Sequence, residues 1–519
     1  MNSAKLIFNE IDQSFFIDSA QQGLAAVLVR TKRGPFGHDG EIISSWPDFE
    51  SKYGGEVSTL DGPSLVQRAL SAGAKLRIGK IGHYTTISSA ASLDAVKGTL
   101  DEGGSAFAVD GADEVFDLIL KHPGADYNNL VVQITAASNG DADSFDLLIT
   151  HLLEAKYNKR YQNIKVPGIP TVEESTYLKA VEEQDLFFNV VYKDLSALSG
   201  PIRPTNGTWS VQDGSDGTTP IDADYSGNSA GKTGWFMFDD FNDFNVISAL
   251  DNYNSAVMVS GGAYSKARED HFNFHYFADS VNTTTALGSA RVATNIDSRY
   301  SVFFAGGLKV SHPTLNGQLK DLPAIGDIIG TAMKSNTAFG PWWSFAGLQR
   351  GVINNARGVI NNFPTTAKLD ELAQKQINAV IQTGGRIYIK GNFTAQLATS
   401  RKSFVSVVGL FIYLKKSLAP SLERYLEQPN DFKTFREIYN EVQPFLDGLV
   451  GGDARALNDY EWKGDQFANQ DSDLKVNNRP DLDQGKYKVQ LWLKETVSMQ
   501  EFTMDIISAG STVEFSADI

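Results

Sequence analysis

Between Gly384 and Asp453 the chain places two long apolar helical patterns one after the other, and no fold can leave both in water. The stretch opens with a short β-like run and a polar turn, Gly385 to Thr394, and passes through Ser400-Arg401-Lys402-Ser403 into a helix. There Phe404, Val407, Val408, Phe411, Leu414 and Leu418 recur at three- and four-residue steps and so share one face. That face must be buried. A second amphipathic helix starts after Pro429-Asn430, with Asn430 placed to cap it, and carries Phe432, Phe435, Tyr439, Val442 and Leu446 on one side. It stops at Gly451-Gly452, where glycine supplies the left-handed turn. Two such helices with the strands around them predict one packed unit.

Composition narrows the class. A chain of 519 residues has room for about three domains at about 100–200 residues each. Its 42% hydrophobic and 11% aromatic content and 46 glycines fit a mixed α/β chain. The longest apolar run, Phe404 to Leu414, is shorter than the about 20 residues of a bilayer span. Met1 to Glu10 lacks the apolar segment of a signal peptide. The expectation is a soluble chain made in the cytoplasm, with no direct membrane contact. With no cysteine, disulfides and thiolate metal sites are excluded. A net charge of −16 argues against direct nucleic-acid binding, which needs a basic surface.

The charge is also unevenly placed. Thr99 to Asp146 holds ten acids against Lys121, and Thr205 to Asp251 holds eight aspartates against Lys232. From Arg386 to Leu422 the sign reverses: Arg386, Lys390, Arg401, Lys402, Lys415 and Lys416 occur without a single acid. Such blocks read either as solvated faces of different domains or as a basic surface turned to an acidic protein partner.

In chain order, Lys5 to Asp12 reads as a short strand with no core of its own. Leu24 to Arg30 reads as a buried strand, Arg33 to Gly37 as a turn, and Ile42 to Ser45 as another short strand. A helix follows up to Tyr53, with Ser45 as cap, Pro47 in its first turn and Gly54-Gly55 as its stop. Ser64 to Ala72 is a helix leading into the strand Leu76 to Ile81. Alternation of this kind predicts an α/β layer.

The order of several motifs resembles one family. Glu10, Asp12 and Ser14, then Arg33 to Gly37, then Ile43 to Glu50 with Tyr53-Gly54-Gly55, resemble the N-terminal region of contractile tail sheath proteins of myophages and related contractile injection systems. The likeness continues through His122 to Val132 and Trp235 to Phe241. It is strongest in Gly340 to Gly351, in the two-helix stretch, and in Asn477-Asn478-Arg479-Pro480. Between Gly82 and Tyr192 only His122 to Val132 matches.

The resemblance implies a mixed α/β, multidomain chain. Its parts would be an N-terminal arm (1–20), a subtilisin-like α/β middle domain without a catalytic triad (21–82 and 193–364), and an inserted outer domain (83–192). An inner, tube-facing domain (365–507) and a C-terminal arm (508–519) complete it. The partners it implies are further copies of the chain in a helical sheath, an inner tail tube protein, and baseplate and tail terminator proteins. Lys402, Lys415 and Lys416 are expected to face the tube.

Periodicity adds an argument about the ends. Lys486 to Lys494 alternates, and so do Phe502 to Ile506 and Val513 to Phe515. Both termini therefore read as strands without a local partner. Pairing with a neighbouring subunit would satisfy them, and head-to-tail addition that does not close makes a helical polymer. In the sheath family both arms weave neighbours together in this way. The contacting residues expected here are Leu6, Ile7, Phe8 and Ile11 with Val513 and Phe515. The alternative is pairing within the chain.

Enzyme-like patterns fail on spacing. Gly227 to Thr233 mimics a phosphate loop, but only three residues separate the glycines, Ser226 stands where a glycine is required, and an apolar run of strand character follows instead of a helix. Asn139 to Ser144 suggests a calcium loop but has Ser144 and Thr150 where Gly and Glu are needed. His271 and His275 are four apart without the zincin glutamate between them, and no Gly-x-Ser-x-Gly elbow occurs. Neither catalysis nor a cofactor is expected.

The expected function is a structural subunit of a bacteriophage contractile tail. It would polymerise around the tube, contract, and drive the tube through a cell envelope for genome ejection, as part of a virion assembled in the bacterial cytoplasm. A phage-derived injection or secretion sheath is the near alternative. A non-contractile structural polymer, or a degenerate phosphate-loop protein binding nucleotide at Lys232, is the distant one.

Overall fold

Leu24–Val29 contains no polar side chain and all six residues are buried, as a central strand of a parallel sheet requires. The computed structural model describes residues 17–57, 59–84, 99–100, 106–108, 114–165, 185–192, 203–311, 317–464, 476–477 and 479–500. Leu24–Val29 is flanked by Lys75–Lys80 on one side and Val246–Ala249 on the other, both parallel to it. Beyond Val246–Ala249 come Phe272–Tyr276, Ser301–Ala305 and Ile377–Thr383, then Arg386–Lys390 as an antiparallel edge. Strand order therefore reverses at Leu24–Val29.

Helices cover both faces of this sheet. Ala25, Val27 and Val29 point into a core shared with the helices Trp46–Tyr53, Gly62–Ala72 and Ile325–Phe339. Leu24, Ala26 and Leu28 meet the helix Ser255–Arg268 on the other side. The predicted cap is present, since Ser45 accepts from the Asp48 amide. Ile42 to Ser45, read as a strand, makes only an isolated bridge from Ile43 to Leu76.

Among the described residues the strands of the insertion pair antiparallel, with short 3-10 turns at Ala125–Asn129 and Ala155–Tyr157 between them. Thr99–Leu100, Gly207–Gln212, Leu130–Ala136, Ser144–His151 and Lys159–Lys165 form one sheet, and Ala106–Ala108, Glu114–Leu120 and Phe188–Tyr192 a second. Their inner faces share a core of Phe116, Leu130, Val132, Phe145, Leu147 and Phe188 among others. Gly207–Gln212 pairs with Leu130–Ala136, so the insertion runs past the expected boundary at 192. The chain closes it where Thr218 bonds back to the His83 carbonyl. Gly217 (φ 72°) is required at this neck, because a Cβ there would lie 2.2 Å from the His83 oxygen.

The two apolar helices do not share one unit. The chain divides into 1–428 and 429–519. Val405–Glu423 belongs to the first, where Val405, Val408 and Ile412 join the sheet's core and Ile377–Thr383 extends the sheet itself. Residues 365–428 thus pack with the doubly wound sheet, and the expected inner domain is split. This helix also extends beyond the apolar run to 19 residues, and among the described helices it alone has the length and composition of a membrane span. Burial in the core accounts for its apolar character.

The second unit sets the helix Phe432–Val450 against a two-stranded antiparallel sheet of Leu457–Lys463 and Gln490–Glu495. Asp431 caps the helix, accepting from the Thr434 amide, while the Asn430 side chain donates to the Leu482 carbonyl. At the far end Gly451 has φ −82° and Gly452 carries the left-handed φ of 56°.

Candidate assembly interface and enclosed polar sites

The strand Leu457–Lys463 was not anticipated, because Asn458, Asp459, Glu461 and Lys463 mask its pattern. It pairs with the predicted strand at Gln490–Glu495, so this part of the C-terminal region has an intrachain partner. Asn477 sets the entry to that second strand, donating to the Lys488 carbonyl (2.9 Å) and accepting from its amide (2.7 Å). Tyr487 stacks flat on Phe435 of the helix, with ring centres 3.8 Å apart, and Trp462 meets Tyr439 edge-on. Among the described residues neither outer edge of this sheet is paired, and Trp492 is 57% exposed. A two-stranded sheet is marginal alone, and open edges accept further strands. Leu6, Ile7, Phe8, Ile11, Val513 and Phe515 lie outside the described residues.

The three lysines expected at the tube do not form one surface. Lys402 sits in the turn Arg401–Ser403 before the core helix, half-buried, with its ammonium 5.0 Å from the centre of the Phe411 ring. Lys415 is exposed and donates to Glu269 (2.9 Å) and, at 3.4 Å, to the Tyr300 hydroxyl. Lys416 turns inward. Its ammonium donates to the Phe244 carbonyl at 2.5 Å, and burial pushes its pKa down to about 8. Arg386, Lys390 and Arg401 are exposed.

Close to Lys416 lies an array that sequence reasoning passed over. The Ser265 hydroxyl is 2.9 Å from His271 Nε2, and His271 Nδ1 is 2.5 Å from an Asp270 oxygen. The connectivity is that of a hydrolase triad, which the expected triad-free domain did not include. Ser265 and His271 are fully buried, and Phe244 and Tyr264 pack on the imidazole. No substrate carbonyl can reach this hydroxyl. The array instead ties the last turn of Ser255–Arg268 to the start of Phe272–Tyr276.

The other enzyme-like patterns dissolve similarly. Lys232, left-handed at φ 47°, pairs with Asp240, and the apolar run after it is a single 3-10 turn, Gly234–Phe238, that buries Trp235. In the Asn139 to Ser144 turn, Asp141 accepts from the Ser144 hydroxyl and pairs with Lys165. Among the described residues no group of three His, Cys, Asp or Glu could hold a metal.

Burial pushes His271 down to about 4 and His275 down to about 3. A histidine held below its unfolded value of about 6.5 is protonated first in the unfolded chain, so stability falls as pH drops below about 6.5. Asp251, Asp279 and Asp327 are raised by burial and act in the opposite sense. His275→Gln isolates one term. Between pH 7 and pH 5 the wild type is expected to lose about 2 kcal/mol more than this variant in urea unfolding, and parallel losses would refute the assignment.

No protein-family model matches the chain. It is 27% identical over 242 residues to the tail sheath protein of Enterobacteria phage T4, a match spanning 45% of this chain and 34% of that protein. Its fold is that of solved sheath proteins. The sheath tail protein of Listeria innocua aligns with TM-score 0.56 at 10% identity, over 92% of this chain and 96% of that one. The sheath tail protein of Desulfitobacterium hafniense gives 0.55 at 14% identity, over 88% and 93%. The contracted helical sheath of the anti-feeding prophage gives 0.54 at 12% identity, over 98% and 99%. The resemblance to contractile tail sheath proteins is thus borne out, and the chain is a mixed α/β, multidomain protein like them.

Proposed function

We propose that this chain is a sheath subunit of a contractile tail or phage-like injection particle, and that it polymerises helically around an inner tube and contracts to drive the tube through an envelope. The observation that carries the reading is the likeness of the fold to solved sheath proteins over nearly the whole chain, within which 457–463 and 490–495 form a two-stranded sheet. Strands from the arms of neighbouring copies would complete it, linking subunits while leaving the packed units free to turn. The partners of this reading are further copies, a tube protein, and baseplate and terminator proteins. No step requires catalysis or a cofactor.

Contraction needs two packings of one set of subunits, the second burying more surface. About 200 Å² of extra apolar burial per subunit would release about 5 kcal/mol at roughly 25 cal/mol per Å². The 83–212 insertion, rich in acids, suits the outer surface, and the acid-free basic segment suits the tube.

Electron microscopy of the chain with and without its tube protein tests the function. Ridged hollow cylinders alone, and a longer, narrower form on tubes, are expected; dispersed particles in both samples would defeat the proposal. Charge reversal separates the lysines. Lys402→Glu with Lys415→Glu is expected to reduce assembly on tubes, with only the small fall in the monomer's melting temperature that loss of the exposed Lys415–Glu269 pair brings. Lys416→Glu puts a carboxylate against the Phe244 carbonyl and is expected to lower that temperature instead. Normal assembly with both outer lysines reversed would end the tube-facing assignment.

A further inference from the structure

Doubly wound sheets bind ligands at the carboxyl ends of their strands, where strand order reverses. Here strand order reverses between Leu24–Val29 and Val246–Ala249, and one strand over, beyond Val29 and Lys80, the carboxyl ends of the sheet are not solid. A cleft of about 280 Å³ opens there, lined by Arg30, Lys32, Lys80 and Asp216 with the Thr218 and Thr219 segment. Its volume is at the small end of ligand sites.

The feature that needs explaining is Lys80. It ends its strand 3% exposed, and among the described residues its ammonium has the Gly34 carbonyl, at 3.5 Å, as its one hydrogen-bond partner. Among the described residues no carboxylate lies within ion-pair distance of it. The neighbouring acids are occupied. Asp126 serves Lys32 and Arg33, and Asp216 accepts from the Ala125 amide. Burial pushes the Lys80 pKa down to about 8, outweighing the more distant charges of Asp216 and Asp126, which act to raise it. A buried ammonium without a direct ion pair is costly, and a methionine of similar length would avoid that cost. A lysine facing a cleft next to Arg30 makes sense if an anion enters.

We propose that this crevice binds a small phosphate-class oxyanion, with Lys80 as its central cation and Arg30 at its mouth. Among the described residues neither cation has a carboxylate within ion-pair distance, a pair that suits a divalent anion, and the threonine hydroxyls supply neutral donors. Lys32 adds field but is already paired with Asp126 and Glu154. Asp216 opposes the anion from the rim. Bound there, the oxyanion joins the end of the Lys75–Lys80 strand to the segment returning from the outer insertion. The site does not depend on the sheath reading.

The test is equilibrium dialysis of the full chain against radiolabelled inorganic phosphate at constant ionic strength, with thermal melts in phosphate and in acetate. The expected result is one phosphate per chain and a melting temperature that rises with phosphate but not with acetate. Lys80→Met should lose both effects while melting no lower than wild type in phosphate-free buffer. Arg30→Gln, which leaves the buried position intact, should weaken binding by at least about tenfold. No saturable phosphate uptake, an equal response to acetate, or unchanged uptake by both variants would each overturn the proposal.

Discussion

A chain lacking residues 1–12 is expected to fold with an unchanged melting temperature and to form no ordered cylinders. The first half follows from where the core begins. Ile17 is the earliest described residue and is buried, and Ala20 donates to the Ser417 hydroxyl on the core helix. The deletion therefore removes none of the described core. The second half follows from the proposed assembly, in which the two-stranded sheet at 457–463 and 490–495 accepts strands from neighbouring copies. Leu6, Ile7, Phe8 and Ile11 supply the apolar side chains for such a strand. Removal of 508–519, with Val513 and Phe515, should act in the same direction. Negative-stain images of the truncated chain, beside circular dichroism melts, decide the matter. Full-length cylinders from the truncated chain would rule out the woven-arm account, whereas a collapse in melting temperature would show that the segment serves its own subunit.

What could be read from the sequence follows the strength of local signals. Leu24–Val29 was legible because six apolar residues can only be an interior strand, and Trp46–Tyr53 because Ser45, Pro47 and Gly54 mark its ends. Trp235 to Phe241 misled. Its apolar run promised a strand, but Gly234 at φ 56° starts a tight turn, and Trp235 donates to Ser260 on a helix. The split between Val405–Glu423 and Phe432–Val450 was hidden for a different reason. Periodicity shows that a face is buried but not against what, and Val408 and Ile412 find their partners in a sheet far away in sequence. The lysines show the same limit. Lys415 and Lys416 are adjacent, yet helix geometry turns them about 100° apart, so one meets Glu269 near solvent and the other a carbonyl beneath the surface. Ser265, Asp270 and His271 match no motif because the array joins a helix end to a strand start.

Replacing Arg33 with alanine is expected to cost about 2–4 kcal/mol of stability, from the buried charged hydrogen bonds it removes and the cavity it leaves. Arg33 is 1% exposed and joins the segment after Leu24–Val29 to the inserted β domain. Its guanidinium donates to Asp126 at 2.9 Å and to the Glu50 carbonyl at 3.1 Å, and it lies 4.2 Å from the Tyr157 ring centre. The Tyr157 hydroxyl also donates to Glu50, and the Gly34 amide donates to Tyr127. Without the guanidinium, Asp126 keeps Lys32 and His151, but the aromatic cage around Arg33 is left empty. Arg33→Lys restores the charge without the planar fork and should recover only part of the loss. The junction also carries a pH signature. Burial works to raise Asp126, yet hydrogen bonds from His151 and Lys32, with the nearby charges of Lys32 and Arg33, hold it at about 2. A carboxylate held below its unfolded value of about 3.9 stabilises the fold above that pH, and the contribution of about 2–3 kcal/mol is lost as pH falls towards 2. Urea unfolding of wild type and Arg33→Ala at pH 7 and pH 3 tests both claims. The gap between them should be widest at pH 7 and narrow at pH 3. A loss below about 1 kcal/mol at pH 7 would mean that the remaining contacts of Lys32, Tyr127 and Tyr157 hold the insertion without this ion pair.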